Sequence, residues 1–270
     1  MTRLAPRTAS RLRWAYAAII AGVILASFVP QLLSGHSPFS MDDAGACAPG
    51  SRHLLGADYL GRDVMSRTLA AGRISVVIGV GARLGSVIIG LAAGLLIGMS
   101  GGASRSLLNG TVEVFLAIPA LLLAMALAAV LGEGVWAVMT AIVAGTWAPV
   151  ARFTAARVGD ILSLDYVTAA RALGAGRVRI MTRHLVPALL PSLVPLLTTG
   201  IATSIMMEAT LTFLGLGGSA SVTAIPTWGQ LIQEGSKFLF DAPWIIVPPS
   251  VVLMIVILCF NQIGDSIAAD

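Results

Sequence analysis

The chain has 270 residues, of which 57% are hydrophobic and only 11% are charged, and its mean hydropathy is +0.90. A chain of this length with so few charges cannot cover the surface of a water-soluble globule. The composition therefore excludes a soluble enzyme and indicates an integral membrane protein. The net charge of +4 would suit nucleic-acid binding. However, the arginines stand beside apolar segments, which favours a role in membrane topology.

Six apolar segments approach or exceed the roughly 20 residues that a helix needs to cross a bilayer. The sequence therefore predicts an all-α, polytopic membrane protein. Its predicted spans are residues 14–33, 74–99, 107–131, 135–151, 188–207 and 244–260. We expect one transmembrane domain, residues 14–270, after a short N-terminal segment, residues 1–13.

Positive charges before the first span predict its orientation. Arg3, Arg7, Arg11 and Arg13 place the N-terminal segment in the cytoplasm. Counting six crossings then puts both termini and the loop 152–187 inside, and the loops 34–73 and 214–243 outside. A basic head before an apolar run also resembles a signal peptide. The run is longer than a usual signal-peptide core, which favours an uncleaved first span.

Within the first outer loop, residues 53–73 alternate apolar and charged side chains, with Leu60, Val64 and Leu69 as the apolar set. This pattern predicts an amphipathic helix lying along the membrane interface. The alternative is a packing helix that directs the chain into the second span. In that second span, glycines recur six times between residues 79 and 98. They predict close approach to another helix.

The fifth predicted span combines prolines with small polar residues. Pro187, Pro191 and Pro195 each remove a backbone donor, which predicts a broken helix beside a cavity. Beyond them, Gly200, Ser204 and Glu208 share one helical stripe, with Thr203 next to it. This stripe is a candidate wall of a translocation path. The alternative is helix contact through small residues.

Two ionisable residues are functional candidates, one inside the second predicted span and one near the outer end of the fifth. Arg83 in the second span is a candidate for binding a substrate carboxylate, and Glu208 for binding an amino group. The alternatives are snorkelling to the interface or neutralisation by a partner helix. His53 and His184 hint at nickel, but structural roles are favoured. Because Cys47 is predicted outside and Cys259 within the last span, no metal site is expected.

The loop 152–187 is the one long polar interruption in the chain. We expect Asp165 to cap a helix over residues 166–173 and Gly174 to end it in a left-handed conformation. Small side chains would let this helix sit in an acidic groove of another protein. The candidate docking residues are Asp165, Thr168, Ala169, Ala170, Arg171, Ala172 and Gly174.

Thr168, Ala169, Ala170, Gly174 and Pro187 resemble the EAA coupling loop of permease subunits in ATP-binding-cassette (ABC) importers. Thr168 stands where the family has Glu, and Val186 where it has Leu. With Asp165 as the cap, Thr168 would be the third helical residue, where Glu would complete a capping box. The helix start is therefore expected to be weaker than in the family.

Four further segments are similar to one permease type of dipeptide, oligopeptide and nickel importers. They are HLLGADYLGRDVMSR from residue 53, VEVFLAIPALLLAMAL from 112, MEATLTFLGLG from 207 with Pro226, Trp228 and Gly229, and Asn261, Gly264 and Asp265. The resemblance implies the type I ABC importer permease fold, six spans and a coupling helix that carries the docking residues. It implies transport of short peptides by alternating access across the inner membrane of a bacterium or archaeon.

The resemblance also implies partners: a second homologous permease, two cytoplasmic ATPase subunits and an extracytoplasmic substrate-binding protein. This chain has no glycine-rich loop of the Walker type, so we expect it not to be an enzyme. ATP and Mg²⁺ would bind the ATPase partners, and no cofactor is expected here. The alternatives are nickel or another small solute as substrate, an ion-driven secondary transporter, and a non-transporting membrane adaptor.

Overall fold

The computed structural model describes residues 6–42, 45–217 and 225–268, with side chains described from Leu12 onward. Arg3 and residues 218–224 of the predicted second outer loop lie outside these ranges. The described residues form helices and loops without a β-strand. The α-helices are α1 Pro6–Phe28, α2 Pro30–Ser34, α3 Val64–Met99, α4 Gly102–Ala117, α5 Ala120–Leu131, α6 Val135–Leu162, α7 Asp165–Ala172, α8 Arg177–Ile180, α9 Val186–Phe213, α10 Trp228–Ser236 and α11 Val247–Ala268.

The apolar helices follow the predicted spans. In the described part of the chain, four helical stretches are long and apolar enough to cross a membrane: Val64–Met99, Val135–Leu162, Arg177–Phe213 and Pro243–Ala268. The bent pair of α4 and α5 adds a fifth candidate if it forms one span. A shorter apolar helix, Leu12–Phe28, covers most of the first predicted span. The all-α prediction is confirmed.

The third predicted span is a pair of helices with a sharp bend between them. α4 ends at Ala117, α5 begins at Ala120, and the two are bent by 85°. Pro119 is the cause: it has no N–H to donate, and it restricts the residue before it to extended backbone. Ile118 accordingly has φ −93° and ψ 126°.

The helix predicted along the interface within residues 53–73 is also wrong. Residues 53–63 form a loop, and α3 runs without interruption from Val64 to Met99. Asp63 caps it, because its side chain accepts a hydrogen bond of 2.7 Å from the backbone N–H of Ser66. The first turns of α3 are buried, as the alternative of a packing helix requires.

Glycines let α3 and α6 approach closely. A Cβ atom at Gly90, Gly94 or Gly98 would collide with side chains of α6, including Val150 and Thr154. The three glycines are four residues apart and therefore lie on one face of α3. The predicted role of glycines in this segment, close helix packing, is confirmed.

α9 is longer and less broken than predicted. Pro187 lies in its first turn, where no N–H is needed, and α9 continues through Pro191 and Pro195 to Phe213. Before α9, residues Met181–Leu185 form a π-helix that joins it to α8. The prediction of a helix interrupted by its prolines was therefore wrong; the irregular turn precedes them.

The bundle has two ends, which we name after α7 and α10. At the α7 end, Met99 of α3 and Leu162 of α6 line a common cavity with Arg171 of α7. At the α10 end, Arg67 of α3 pairs with Glu234 of α10. There, too, the backbone N–H of Gly134 donates to the carbonyl of Gly217, at 3.0 Å.

Candidate functional site

α7 begins one residue earlier than the cap prediction requires. Leu164 is the N-cap residue, and its carbonyl accepts a 3.1 Å hydrogen bond from the N–H of Thr168. Asp165 is the first helical residue and its side chain makes no capping bond, so the prediction that it caps α7 was wrong. Its negative charge in the first turn still interacts favourably with the positive end of the helix dipole.

This start also changes the comparison with a capping box. With Leu164 as the cap, the third helical residue is Val167, and Thr168 is the fourth. A Glu in place of Thr168 would not occupy the capping-box position. The expectation that Thr168 weakens the helix start therefore has no basis in this geometry.

The end of α7 follows the prediction closely. Gly174 has φ +84°. Its N–H donates to the carbonyl of Arg171 at 2.9 Å, and the N–H of Ala175 donates to that of Ala170 at 3.0 Å. These two bonds define a Schellman motif, which needs a left-handed residue where Gly174 stands. The predicted glycine stop is confirmed.

One residue anchors α7 to the bundle. Val167 is completely buried in an apolar cluster that includes Ile161 of α6, Ile180 of α8 and Leu189 of α9. Leu185 of the π-helix belongs to the same cluster. Because packed side chains transmit displacement, a force on α7 reaches both α6 and α9.

The opposite side of α7 is open. We call the exposed set Thr168, Ala169, Arg171, Ala172 and Leu173 the α7 surface. Leu173 is 88% exposed, although it is apolar. Within the described ranges, Arg171, Arg177, Arg179 and Arg183 form no ion pair. A nearby ion pair joins Arg157 and Asp160 at 3.9 Å. The surface is therefore small, basic and partly apolar.

A cavity of about 600 Å³ opens beside this surface. Arg171 and Arg177 line it together with Met99 and Ile180. Two guanidinium groups at the mouth of an apolar recess suit an acidic or carboxylate-bearing protein segment.

The predicted path residues mostly face inward. Gly200, Ser204 and Glu208 are buried, and of the predicted stripe only the neighbouring Thr203 is exposed. A Cβ atom at Gly200 would overlap the guanidinium of Arg83, so glycine makes room for that side chain. The packing favours helix contact over a wet stripe in this conformation.

Arg83 and Glu208 occupy different levels of the bundle. Arg83 is buried and donates a hydrogen bond of 2.6 Å from Nη2 to the carbonyl of Leu196 in α9. Glu208 is completely buried, and its Oε1 accepts a 3.2 Å bond from Thr212. Neither atom Nε of Arg83 nor Oε2 of Glu208 has a hydrogen-bond partner in the described part of the chain.

Sequence reasoning missed a buried ion cluster at the α10 end. Asp58 Oδ2 accepts from Nε of Arg62 at 2.7 Å and also pairs with Arg67. Both arginines reach Glu234 of α10, at 3.3 Å and 3.0 Å. The balance of aspartates and arginines in the loop was the available signal, but it did not show that Glu234 completes the cluster.

The chain matches a known protein family over most of its length. Residues 88–269 match the family described as the binding-protein-dependent transport system inner membrane component. The chain belongs to this family. It is a multi-pass membrane protein and the permease component of an ABC importer rather than an enzyme, because ATP hydrolysis lies in partner subunits.

Relatives of this importer permease agree with the family. The chain is 31% identical over 245 residues to the dipeptide transport system permease protein of Alkalihalophilus pseudofirmus, covering 91% of this chain and 80% of the relative. It is 30% identical over 250 residues to the oligopeptide transport system permease protein of Bacillus subtilis, covering 92% and 81%.

A solved structure supports the fold. A chain from the MetNI methionine ABC transporter, in inward-facing conformations, superposes with a TM-score of 0.62 at 20% identity. The match covers 76% of this chain and 97% of that chain. The predicted importer permease fold is confirmed, and permeases of this class work with ATPase and substrate-binding partners.

Proposed function

We propose that this permease forms half of the pathway of an importer for short peptides and receives the force of ATP hydrolysis through the α7 surface. The observation that carries the proposal is the two-sidedness of α7: one buried anchor, Val167, and an exposed face of small, basic and apolar residues. The names of the dipeptide and oligopeptide relatives support peptides as substrates.

The coupling step follows from packing. When two ATPase subunits close on ATP, they would pull the α7 surface of each permease toward the pseudo-symmetry axis. Because Val167 belongs to one buried apolar cluster with residues of α6, α8 and α9, those helices would move with it as rigid bodies. The pathway then opens outward, and hydrolysis resets it. ATP and Mg²⁺ are held by the ATPase subunits, and this chain contributes no cofactor site to that step.

The same geometry supports a proposal for the partners. The chain presents one coupling helix in its described residues, whereas a pair of ATPase subunits offers two docking sites for such helices. A second homologous permease therefore completes the pathway. The α7 end lies in the cytoplasm with both chain termini, and the α10 end faces the extracytoplasmic substrate-binding protein. The unpaired arginines at the α7 end agree with this orientation in a bacterial or archaeal inner membrane.

Within the pathway, Thr203 is the predicted residue already exposed on α9. Arg83, Gly200, Ser204 and Glu208 would reach a solute only after α3 and α9 separate, because they are buried between these helices in this conformation. We therefore propose Thr203 as a direct contact and the other four as residues that shape the closed state.

A site-directed photocrosslinking experiment tests the coupling assignment. Ala169→Cys is introduced into a variant in which Cys47 and Cys259 are replaced, the thiol is labelled with a maleimide photocrosslinker, and the chain is illuminated in native membranes and identified with its partners by mass spectrometry. Ser40→Cys, exposed in the loop between α2 and α3, is the matched control. We expect the Ala169 variant alone to capture an ATPase subunit.

The same purification identifies the substrate. Co-purified binding protein is tested with dipeptides, longer peptides and Ni²⁺ complexes, and the reconstituted complex is tested for uptake. Peptide-stimulated ATP hydrolysis would support the proposal, whereas stimulation by a metal complex alone would replace the peptide assignment. Capture of an ATPase by Ser40→Cys and not by Ala169→Cys would overturn the coupling site and its orientation.

A further inference from the structure

Two histidine rings meet at the α10 end, in the loop 35–63 that joins α2 to α3. The centroids of His36 and His53 are 4.6 Å apart, and their planes are tilted by 34°. His36 lies two residues after the end of α2, and His53 precedes the start of α3 by eleven residues. The contact brings together two segments that no regular secondary structure joins.

Each ring has one nitrogen turned to an acceptor. His36 Nδ1 lies 2.9 Å from the carbonyl of Ser34, which leaves Nε2 with a lone pair. His53 Nδ1 lies 2.9 Å from Oδ1 of Asp63, and its Nε2 lies 3.9 Å from Oδ2 of Asp42, which is longer than a hydrogen bond. A carbonyl acceptor behind an imidazole, as at His36, fixes the tautomer in the same way at metal centres.

A buried carboxylate completes the cluster. Oδ1 of Asp63 lies 2.9 Å from His53 Nδ1, and both side chains are nearly inaccessible to solvent. One ligand atom each from His36, His53 and Asp63 lie within 4.8 Å of one another. A tetrahedral ion with bonds of about 2.0–2.1 Å holds its ligand atoms roughly 3.3 Å apart, so small side-chain rotations are enough.

The local charge favours a cation. Asp42 and Asp63 bring two carboxylates to the rings, and the nearby arginine that pairs with either is Arg52, 2.9 Å from Asp42 and largely exposed. The other oxygen of Asp63 accepts the N–H of Ser66, which holds the carboxylate toward His53. A divalent ion would neutralise this site and take the place of the proton shared by His53 and Asp63.

We propose that His36, His53 and Asp63 bind a divalent transition-metal cation of the Zn²⁺ class. Two imidazoles and one carboxylate are ligands that Zn²⁺ accepts, with water in the fourth position. The bound ion would link the segment after α2 to the N-terminus of α3, where Asp63 is also the helix cap. This site does not depend on the transported solute or on the α7 surface.

The test uses the full chain in detergent, purified through a tag without histidines and stripped with a chelator. Zn²⁺ alone is titrated by calorimetry, and thermal unfolding is followed with and without it. We expect one site per chain and a higher unfolding temperature with Zn²⁺. His36→Ala should lower the affinity at least about tenfold and remove the thermal shift.

The chain has three histidines, so His184→Ala is the matched control and should bind Zn²⁺ as the wild type does. His53→Asn keeps a side-chain donor for Asp63, so the fold should be retained, but the variant should still not bind Zn²⁺. It therefore distinguishes loss of a metal ligand from unfolding of the chain. Absence of binding to the wild type would overturn the site. Binding of Zn²⁺ by His36→Ala with the wild-type affinity would also overturn the site. Loss of Zn²⁺ binding in His184→Ala would do the same.

Discussion

The two ends of the bundle treat their charges in opposite ways. At the α10 end, Asp58 and Glu234 neutralise two buried arginines inside the chain. At the α7 end, the four arginines from Arg171 to Arg183 form no ion pair in the part of the chain that the structure describes, and an apolar side chain, Leu173, is almost entirely exposed. The buried arginines of the first end are paired within the chain, whereas the arginines of the second end remain open to a partner.

This contrast distinguishes charges that stabilise the fold from charges that act in assembly and transport. A buried charge is tolerated only when it is paired, so the loss of one partner at the α10 end should affect folding. Exposed charges contribute little to folding, so changes at the α7 end should affect assembly and transport. The following predictions test that division from the largest expected effect to the smallest.

The largest effect is expected from Asp58→Ala. It leaves Arg62 and Arg67 buried with only the partly exposed Glu234 as a partner. Loss of one partner from a buried ion pair costs about 3–5 kcal/mol, so the free energy of unfolding should fall by that order. Reversible denaturation in micelles measures it. Asp160→Ala, at the α7 end and 71% exposed, should change stability by less than about 0.5 kcal/mol; equal losses would contradict the contrast.

Gly174→Val should come next, with an effect on transport rather than insertion. A non-glycine residue in the left-handed conformation costs about 1–2 kcal/mol, and a β-branched one fits worst, so the Schellman motif would open and α7 would shift. We expect uptake to fall at least about tenfold at normal membrane levels. Gly176→Val is the matched control, because Gly176 has φ −69° and free space around it. Normal uptake by Gly174→Val would rule out this role.

These two sites show what the sequence could reveal. Gly174 was identifiable because a left-handed helix stop requires glycine, which is a local rule. The partnership of Arg62 with Glu234 joins residues 172 positions apart. No local pattern specifies such a pair, because it depends on how α3 and α10 pack.

The errors have the same origin. Asp165 was placed as a cap by residue preference, but the tight turn at Ser163 and Leu164 sets the start of α7. Hydropathy did not show the bend within residues 107–131, because it is an average over many residues, whereas the bend depends on one residue, Pro119. Likewise, the inward direction of Glu208 depends on α3 and Thr212, which the stripe alone could not show.

A smaller effect is expected from Leu173→Ser. Burying a leucine against a partner contributes up to about 1.5–3 kcal/mol, and partial burial contributes less. Binding of the purified ATPase subunit should therefore weaken by roughly tenfold, while thermal stability stays unchanged because Leu173 is exposed. Leu60→Ser in the loop at the α10 end is the control and should leave ATPase binding intact. A destabilised Leu173→Ser chain would mean that this side chain supports the fold.

The smallest effect is expected from Arg171→Gln, measured as the salt dependence of ATPase binding. Arg171 is exposed and without an ion pair among the described residues, so its attraction to an acidic groove acts through solvent and is worth about 0.2–1 kcal/mol. The variant should bind a few-fold more weakly at low salt and like the wild type at high salt, where screening removes the difference. Arg52→Gln, whose arginine already pairs with Asp42 at the other end, should show no change at either salt concentration. If Arg171→Gln bound equally well at low salt, the groove would recognise shape alone, and the unpaired arginines would serve only to orient the chain in the membrane.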